Sequence, residues 1–209
     1  MGRVPAVGND DADERVKMSY DALERIAGRV PNFSRTAAHS PAILRWLVPF
    51  VSVVQRKGPE TELEASTREL AILKTSLLNQ CSYCYTHNQA LGRGTGLSEE
   101  QLHAIEHDDH LTSAAFTDRE RLAISWAEAV TLNTARRDMA LFAALEDEFS
   151  SQEIVELTFA IAMFNMINRV NESLHVDLED QSEVDKIRKS VDLDTDAMRD
   201  YVKAVSGNI

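Results

Sequence analysis

No proline follows Pro59, and no glycine lies between Gly96 and Gly207. Stretches rich in Ala, Leu and Glu therefore run on with nothing to break a helix. Alternating runs of β-branched residues and hairpin dipeptides are missing as well, so the fold class reads as all-α. Cysteine is scarce: the chain has 2, too few for an extracellular disulfide framework. No apolar run is long enough to span a bilayer, and the opening residues "MGRVPAVGNDDADERV" lack the apolar core of a signal peptide. Ala6 stands where a myristoylation signal needs Ser or Thr. The expected location is the cytoplasm, with thiols held reduced. Positive charge is also short, with 22 Lys and Arg against 34 Asp and Glu and a formal net charge of −12. Such a surface repels phosphate backbones and anionic lipid, so neither nucleic acid nor membrane is an expected partner.

What is present organises readily. A chain of 209 residues can bury roughly 70% of its unfolded surface without staples. Ser98 with Gln101, Thr117 with Glu120, and Ser150 with Glu153 are three capping boxes, and Ser40-Pro41 opens another helix. Helices are expected at 12–27, 33–39, 41–56, 60–79, 82–94, 99–107, 118–133, 137–148, 151–174 and 182–205. The 151–174 segment is apolar on nearly every face, which suits a central helix or one buried between subunits. Along it Asn165, Asn168, Arg169 and Glu172 make a polar stripe, expected to be a surface edge or an internally paired network. Residues 1–10 read as disordered, 11–176 as the helical domain, and 177–209 as a charged helix docking on the domain or a neighbouring subunit.

The stretch "CSYCYTHN" holds both cysteines, Cys81 and Cys84, with His87 close behind. Three readings stand. Zinc would need two more ligands, and His103 with His107 would supply them, although the gap exceeds that of ordinary fingers. The two thiols could instead be inert core residues. The third reading is a reactive dithiol at a helix start, where unpaired N–H groups favour thiolate, with His87 at i+3 from Cys84 to take its proton. Lowering a thiol pKa by about 2 units raises the thiolate fraction about 25-fold at neutral pH. Intrinsic nucleophilicity falls by about 8-fold, which leaves a net gain of about threefold. A thiol site of this kind therefore also needs a proton donor for its leaving group. Glu69 is the candidate, but along one unbroken helix it would lie about 18 Å from Cys81. A turn near Asn79-Gln80, folding the second helix back on the first, is required to close that distance.

"RELAILKTSLLNQCSYCYTHNQALGRGTGLSEEQLHAI" resembles the alkylhydroperoxidase D-like branch of the carboxymuconolactone decarboxylase family, with its glutamate, C-x2-C and following histidine. "VPNFSRTAAHSPAIL", "FTDRERLAISWAEAVT" and "FSSQEIVELTFAIAMFNMINRVNESL" extend the likeness over about residues 30–176. The resemblance implies an alkylhydroperoxidase D-like helical bundle, assembled as a homo-oligomer (trimer or hexamer), acting as a thiol peroxidase or disulfide oxidoreductase. By position Cys84 would attack a hydroperoxide, Cys81 would resolve the sulfenic acid as a disulfide, and Glu69 would join the proton relay. An external dithiol, such as a lipoyl-bearing protein, would regenerate the pair; no cofactor or metal is implied. The family's histidine falls at Asn88 here, leaving His87 as its substitute, and Tyr83 stands where those members have a histidine between the cysteines. Two rivals remain on the same scaffold. One is an acid–base decarboxylase using His87 and Glu69, and the other a non-catalytic assembly unit with structural or zinc-bound cysteines.

Overall fold

A computed structural model describes residues 2–207, and among them the architecture is all-α. Eleven α-helices follow in order: α1 Glu14–Ala27, α2 Asn32–Ala37, α3 Pro41–Gln55, α4 Ala65–Leu78, α5 Ser82–Thr95, α6 Glu99–Glu106, α7 Asp118–Thr131, α8 Met139–Glu148, α9 Ser151–Leu174, α10 Gln181–Lys186 and α11 Thr195–Ser206. The capping boxes at Ser98, Thr117 and Ser150 all form, so α6, α7 and α9 start where local chemistry dictates. Pro49 sits inside α3, which runs on to Gln55.

The central helix is α4. Every residue from Thr67 to Ser76 is buried, and α4 packs against α5, α6, α7 and α9. Leu70, Ile72 and Leu73 are fully enclosed, each contributing about 2 kcal/mol by burial. Its polar residues are largely answered locally: Thr75 and Ser76 donate to carbonyls one turn back, and Arg68 donates to Gln55 O and Leu63 O at 3.0 Å each. The 151–174 segment, expected to be central or buried between subunits, packs on α4 as α9 and leaves Val155, Phe159 and Met166 exposed. Its stripe is an internally paired network: Asn79 Nδ2 donates to Asn165 and Asn168, and Asn165 Nδ2 donates to Thr131.

Two stretches depart from expectation. The opening residues, read as disordered, carry no helix but are tied down: Arg3 N donates to Leu174 O, and Val7 N to Arg35 O. The single helix expected over 182–205 is broken into α10, a 3-10 turn at Ile187–Lys189 and α11. Between the turn and α11 the chain is extended, because Lys57 captures its backbone: Lys57 N donates to Val191 O and Leu193 N to Lys57 O. Nor is this tail an appendage. α11 packs on α1 and α3, with the Tyr201 hydroxyl donating to Arg45 O at 3.0 Å. No helix among the described residues is long and apolar enough to cross a membrane.

Candidate active site

Between α4 and α5 the chain reverses within three residues. Asn79 closes α4, Gln80 adopts a left-handed φ of 55°, and Cys81 N donates to Ser76 O. That reversal is the turn the Glu69 placement required, and it packs α5 against α4. Cys81 is the N-cap of α5, its sulfur accepting the Cys84 N–H at 3.3 Å. Cys84 lies in the first turn, where the free N–H groups of the helix favour negative charge.

The two thiols are reduced and differ in character. A hydrogen bond from the Cys81 S–H draws the Cys84 thiol below its ordinary value; burial opposes this, and the Asn171 and Asn168 amides assist. Cys81 is pushed the other way, first by holding that shared proton and then by burial. Asn171 Nδ2 donates directly to Cys84 Sγ at 3.2 Å. Cys84 is thus the thiol of the pair shifted toward thiolate, and Cys81 the one shifted toward keeping its proton.

Both sulfurs are hidden from the outer surface, but Cys84 faces a cavity of about 110 Å³. Leu47, Val48, Val51, Phe164 and Ile167 form its apolar walls. Its polar side is made by Arg29, Arg56, His87 and Asn88. Asn88 donates to Cys84 O at 2.7 Å and accepts from Gln55 Nε2 at 2.9 Å. It serves as a strut between α5 and α3.

His87 lines the cavity with both ring nitrogens already engaged. Nδ1 lies 2.6 Å from Tyr83 O, and Nε2 lies 2.7 Å from Glu179 Oε2, close but off the line of a good hydrogen bond. Glu179 also accepts from the Tyr83 hydroxyl at 2.9 Å and pairs with Arg29 at 3.1 Å. Burial raises its carboxyl, but His87, Arg29 and the Asn32 N–H outweigh that and hold it at about 2. Glu69 is buried elsewhere in this neighbourhood. Neither carboxyl oxygen has a hydrogen-bond partner, and desolvation pushes its pKa up to about 8 despite the opposing charges of Arg68 and Arg56. The structure thus gathers Cys81, Cys84 and His87 on one helix start, but supplies His87 with Glu179 rather than Glu69. Glu69 is absent from the cavity wall, although Arg56, which feels its charge, stands in that wall.

His103 and His107, the zinc candidates, stack on each other along α6 at 4.1 Å and join no metal-ligating group with the cysteines among the described residues. Asp108, His110 and Glu128 do converge. There the Lys74 ammonium already bridges the two carboxylates.

Residues 41–129 match the Carboxymuconolactone decarboxylase family. Over this segment the chain is similar to that family. The uncharacterized protein YnjA of Escherichia coli (strain K12) is 28% identical over 137 residues, 65% of this chain and 72% of that protein. A peroxidase-related protein from Ralstonia eutropha JMP134, solved as an alkylhydroperoxidase AhpD core, superposes with a TM-score of 0.74 at 21% identity, covering 89% of this chain and 96% of its own. A cysteine-to-alanine variant of the debrominase Bmp8, solved in complex with 2,3,4-tribromopyrrole, superposes at 0.72 with 19% identity, over 88% and 96% of the two chains. The fold is that of these two solved structures. Glu179, Arg29 and the Asn171 amide lie outside the matched segment, yet all three contribute to the cavity beside Cys84 or to its polar network.

Proposed function

We propose that the protein is a thiol peroxidase or closely related dithiol oxidoreductase, with Cys84 as the attacking thiol and Cys81 as the resolving one. The observation that carries this reading is Cys84 itself: a thiol held below its ordinary pKa, accepting a hydrogen bond from the Asn171 amide and set in the wall of a cavity of about 110 Å³. The Cys84 thiolate would attack the distal oxygen of a hydroperoxide, breaking the O–O bond and forming a sulfenic acid. The departing alkoxide would take a proton from His87, which lines the same cavity. The Cys81 sulfur would then displace hydroxide from that sulfenic acid, leaving a disulfide and water once its proton is transferred. An external dithiol, such as a lipoyl group on a partner protein, would return both thiols by exchange. Glu69 would act behind Arg56, as a carboxyl still protonated near neutral pH that can release or take up a proton. A homo-oligomer is the proposed working form, on the support of the exposed apolar residues of α3 and α9.

A second reading has one observation in its favour. The cavity is small and largely apolar-walled, which suits an aromatic ring as well as a hydroperoxide, and Bmp8, which binds tribromopyrrole, shares the fold. Reductive debromination would use the same two thiols.

The test is peroxide turnover with a dithiol reductant, together with intact-protein mass. Wild type should lose two hydrogens on treatment with peroxide, Cys81→Ser should accumulate a trappable sulfenic acid, and Cys84→Ser should be inactive. Full turnover by Cys84→Ser would overturn the proposal. Release of bromide from tribromopyrrole without any peroxide turnover would favour the second reading.

A further inference from the structure

The polar side of the Cys84 cavity carries more positive charge than the protein neutralises. Arg29, Arg56 and His87 are all more than nine-tenths buried, and all three line this cavity and the smaller one of about 80 Å³ beside it. Arg29 Nη1 and His87 Nε2 face the Glu179 carboxylate at 3.1 and 2.7 Å, whereas Arg56 Nε is buried with no hydrogen-bond partner. Glu179 lies against Arg29 and His87. Arg56 has no such partner, since no carboxylate among the described residues lies within ion-pairing distance of its guanidinium. Glu69 is the nearest influence of opposite sign, but its carboxyl makes no hydrogen bond and burial keeps it protonated near neutral pH. The charge of Arg29 moreover opposes that of Arg56 across the cavity. A buried, unpaired guanidinium facing a like charge is costly unless something anionic enters.

We infer that Arg56, with Arg29 and His87, forms an anion subsite beside Cys84, and that the substrate carries a carboxylate on a small apolar body. Glu179 pairs with Arg29, which leaves Arg56 as the guanidinium with no carboxylate against it, and one such group suits a monoanion better than a phosphate dianion. A guanidinium offers the paired, coplanar N–H donors that a carboxylate accepts. The apolar walls formed by Val51, Phe164 and Ile167 would take the rest of the molecule, holding it against Cys84 Sγ. The inference rests on Cys84 as the reacting thiol, but binding can be measured without any chemistry.

Calorimetry on the reduced protein decides it, using acetate, butyrate and benzoate against their amides, with inorganic phosphate as a further arm. At least one carboxylate should bind tenfold or more tightly than its amide, in wild type and in Cys84→Ser alike. Arg56→Gln should lose that preference and Arg56→Lys should keep part of it. The inference is overturned if wild type shows no preference for any carboxylate, if Arg56→Gln retains it, or if phosphate binds ahead of every carboxylate. The wild-type comparison stands even if Arg56→Gln does not fold. A carboxylate preference found together with full peroxide turnover by Cys84→Ser would count against the thiol reading and leave the subsite intact.

Discussion

His87 Nε2 and Glu179 Oε2 face each other at 2.7 Å, which makes the segment after α9 part of the wall behind Cys84. Glu179 is held at about 2, below the ordinary carboxylate value near 4.5, so its ionised form is the one the fold prefers. A depressed carboxyl contributes stability that is complete above its unfolded pKa and lost as pH falls through the folded one. The contribution is about 3 kcal/mol. Glu179→Gln should therefore cost about 2–4 kcal/mol at neutral pH, with the gap to wild type narrowing between pH 5 and 3. Urea melts across that range would check it, and a gap that stayed constant would contradict the assignment.

Glu69 has the opposite sign. Its folded pKa of about 8 lies above the unfolded value, so its favourable contribution is complete in acid and declines as pH rises through about 8. Glu69→Gln should be close to wild type in stability near pH 5 and gain on it by several kcal/mol toward pH 9. If Glu69 also exchanges a proton during turnover, the wild-type rate profile should show a limb near pH 8 that this variant lacks. Parallel stability curves for the two proteins would show that the carboxyl is not held protonated.

Legibility followed the range of the interaction. The capping boxes at Ser98, Thr117 and Ser150 are set by residues three apart, and the reversal at Gln80 follows from an interrupted apolar run, so both could be read from the sequence. The Cys81–Cys84 pair was readable for the same reason. Glu179 was not, because it sits in the acidic run "VDLED" and gains its meaning only when that run crosses α5. Arg56 gave no local signal either: as the C-cap of α3 it looks like an ordinary terminal cation. The helix expected over 182–205 failed because Lys57, far away in sequence, competes for the backbone of Val191 and Leu193. Periodicity cannot register such a competitor.

Asn171 is the residue through which α9 acts on the thiol. Its amide donates to Cys84 Sγ at 3.2 Å, a bond that strengthens when the sulfur is charged. Asn171→Ala should raise the Cys84 pKa, since it removes a hydrogen bond that favours the charged sulfur. Alkylation of Cys84 by iodoacetamide at neutral pH should slow by about 3- to 5-fold once the compensating rise in nucleophilicity is included. Peptide mass spectrometry across a pH series separates this from a general loss of fold, because the variant's rate should recover fully at high pH. A rate that stays low at every pH would mean that Asn171 shapes access to the cavity rather than charge on the sulfur.

The apolar surface left on α3 and α9 bears on assembly. Ile43, Trp46, Phe50 and Val53 recur at helical spacing along α3, with Trp46 46% and Val53 49% exposed. Val155 and Phe159, each 54% exposed, lie on α9, and Val53 shares a shallow cavity with both. Two packed helices therefore present one apolar face, and contiguous faces of this kind on soluble proteins mark interaction sites. Because Leu47, Val48 and Val51 of the same α3 wall the Cys84 cavity, whatever covers the outer face also stiffens the cavity. Light scattering should give wild type a mass above that of the monomer, and Trp46→Glu with Phe159→Glu should shift it to monomer while helical content is retained. The monomeric variant should also lose turnover, through a higher KM for substrate before any change in thiol pKa. A wild-type protein that is monomeric at micromolar concentration would leave this face without a second copy to bury it.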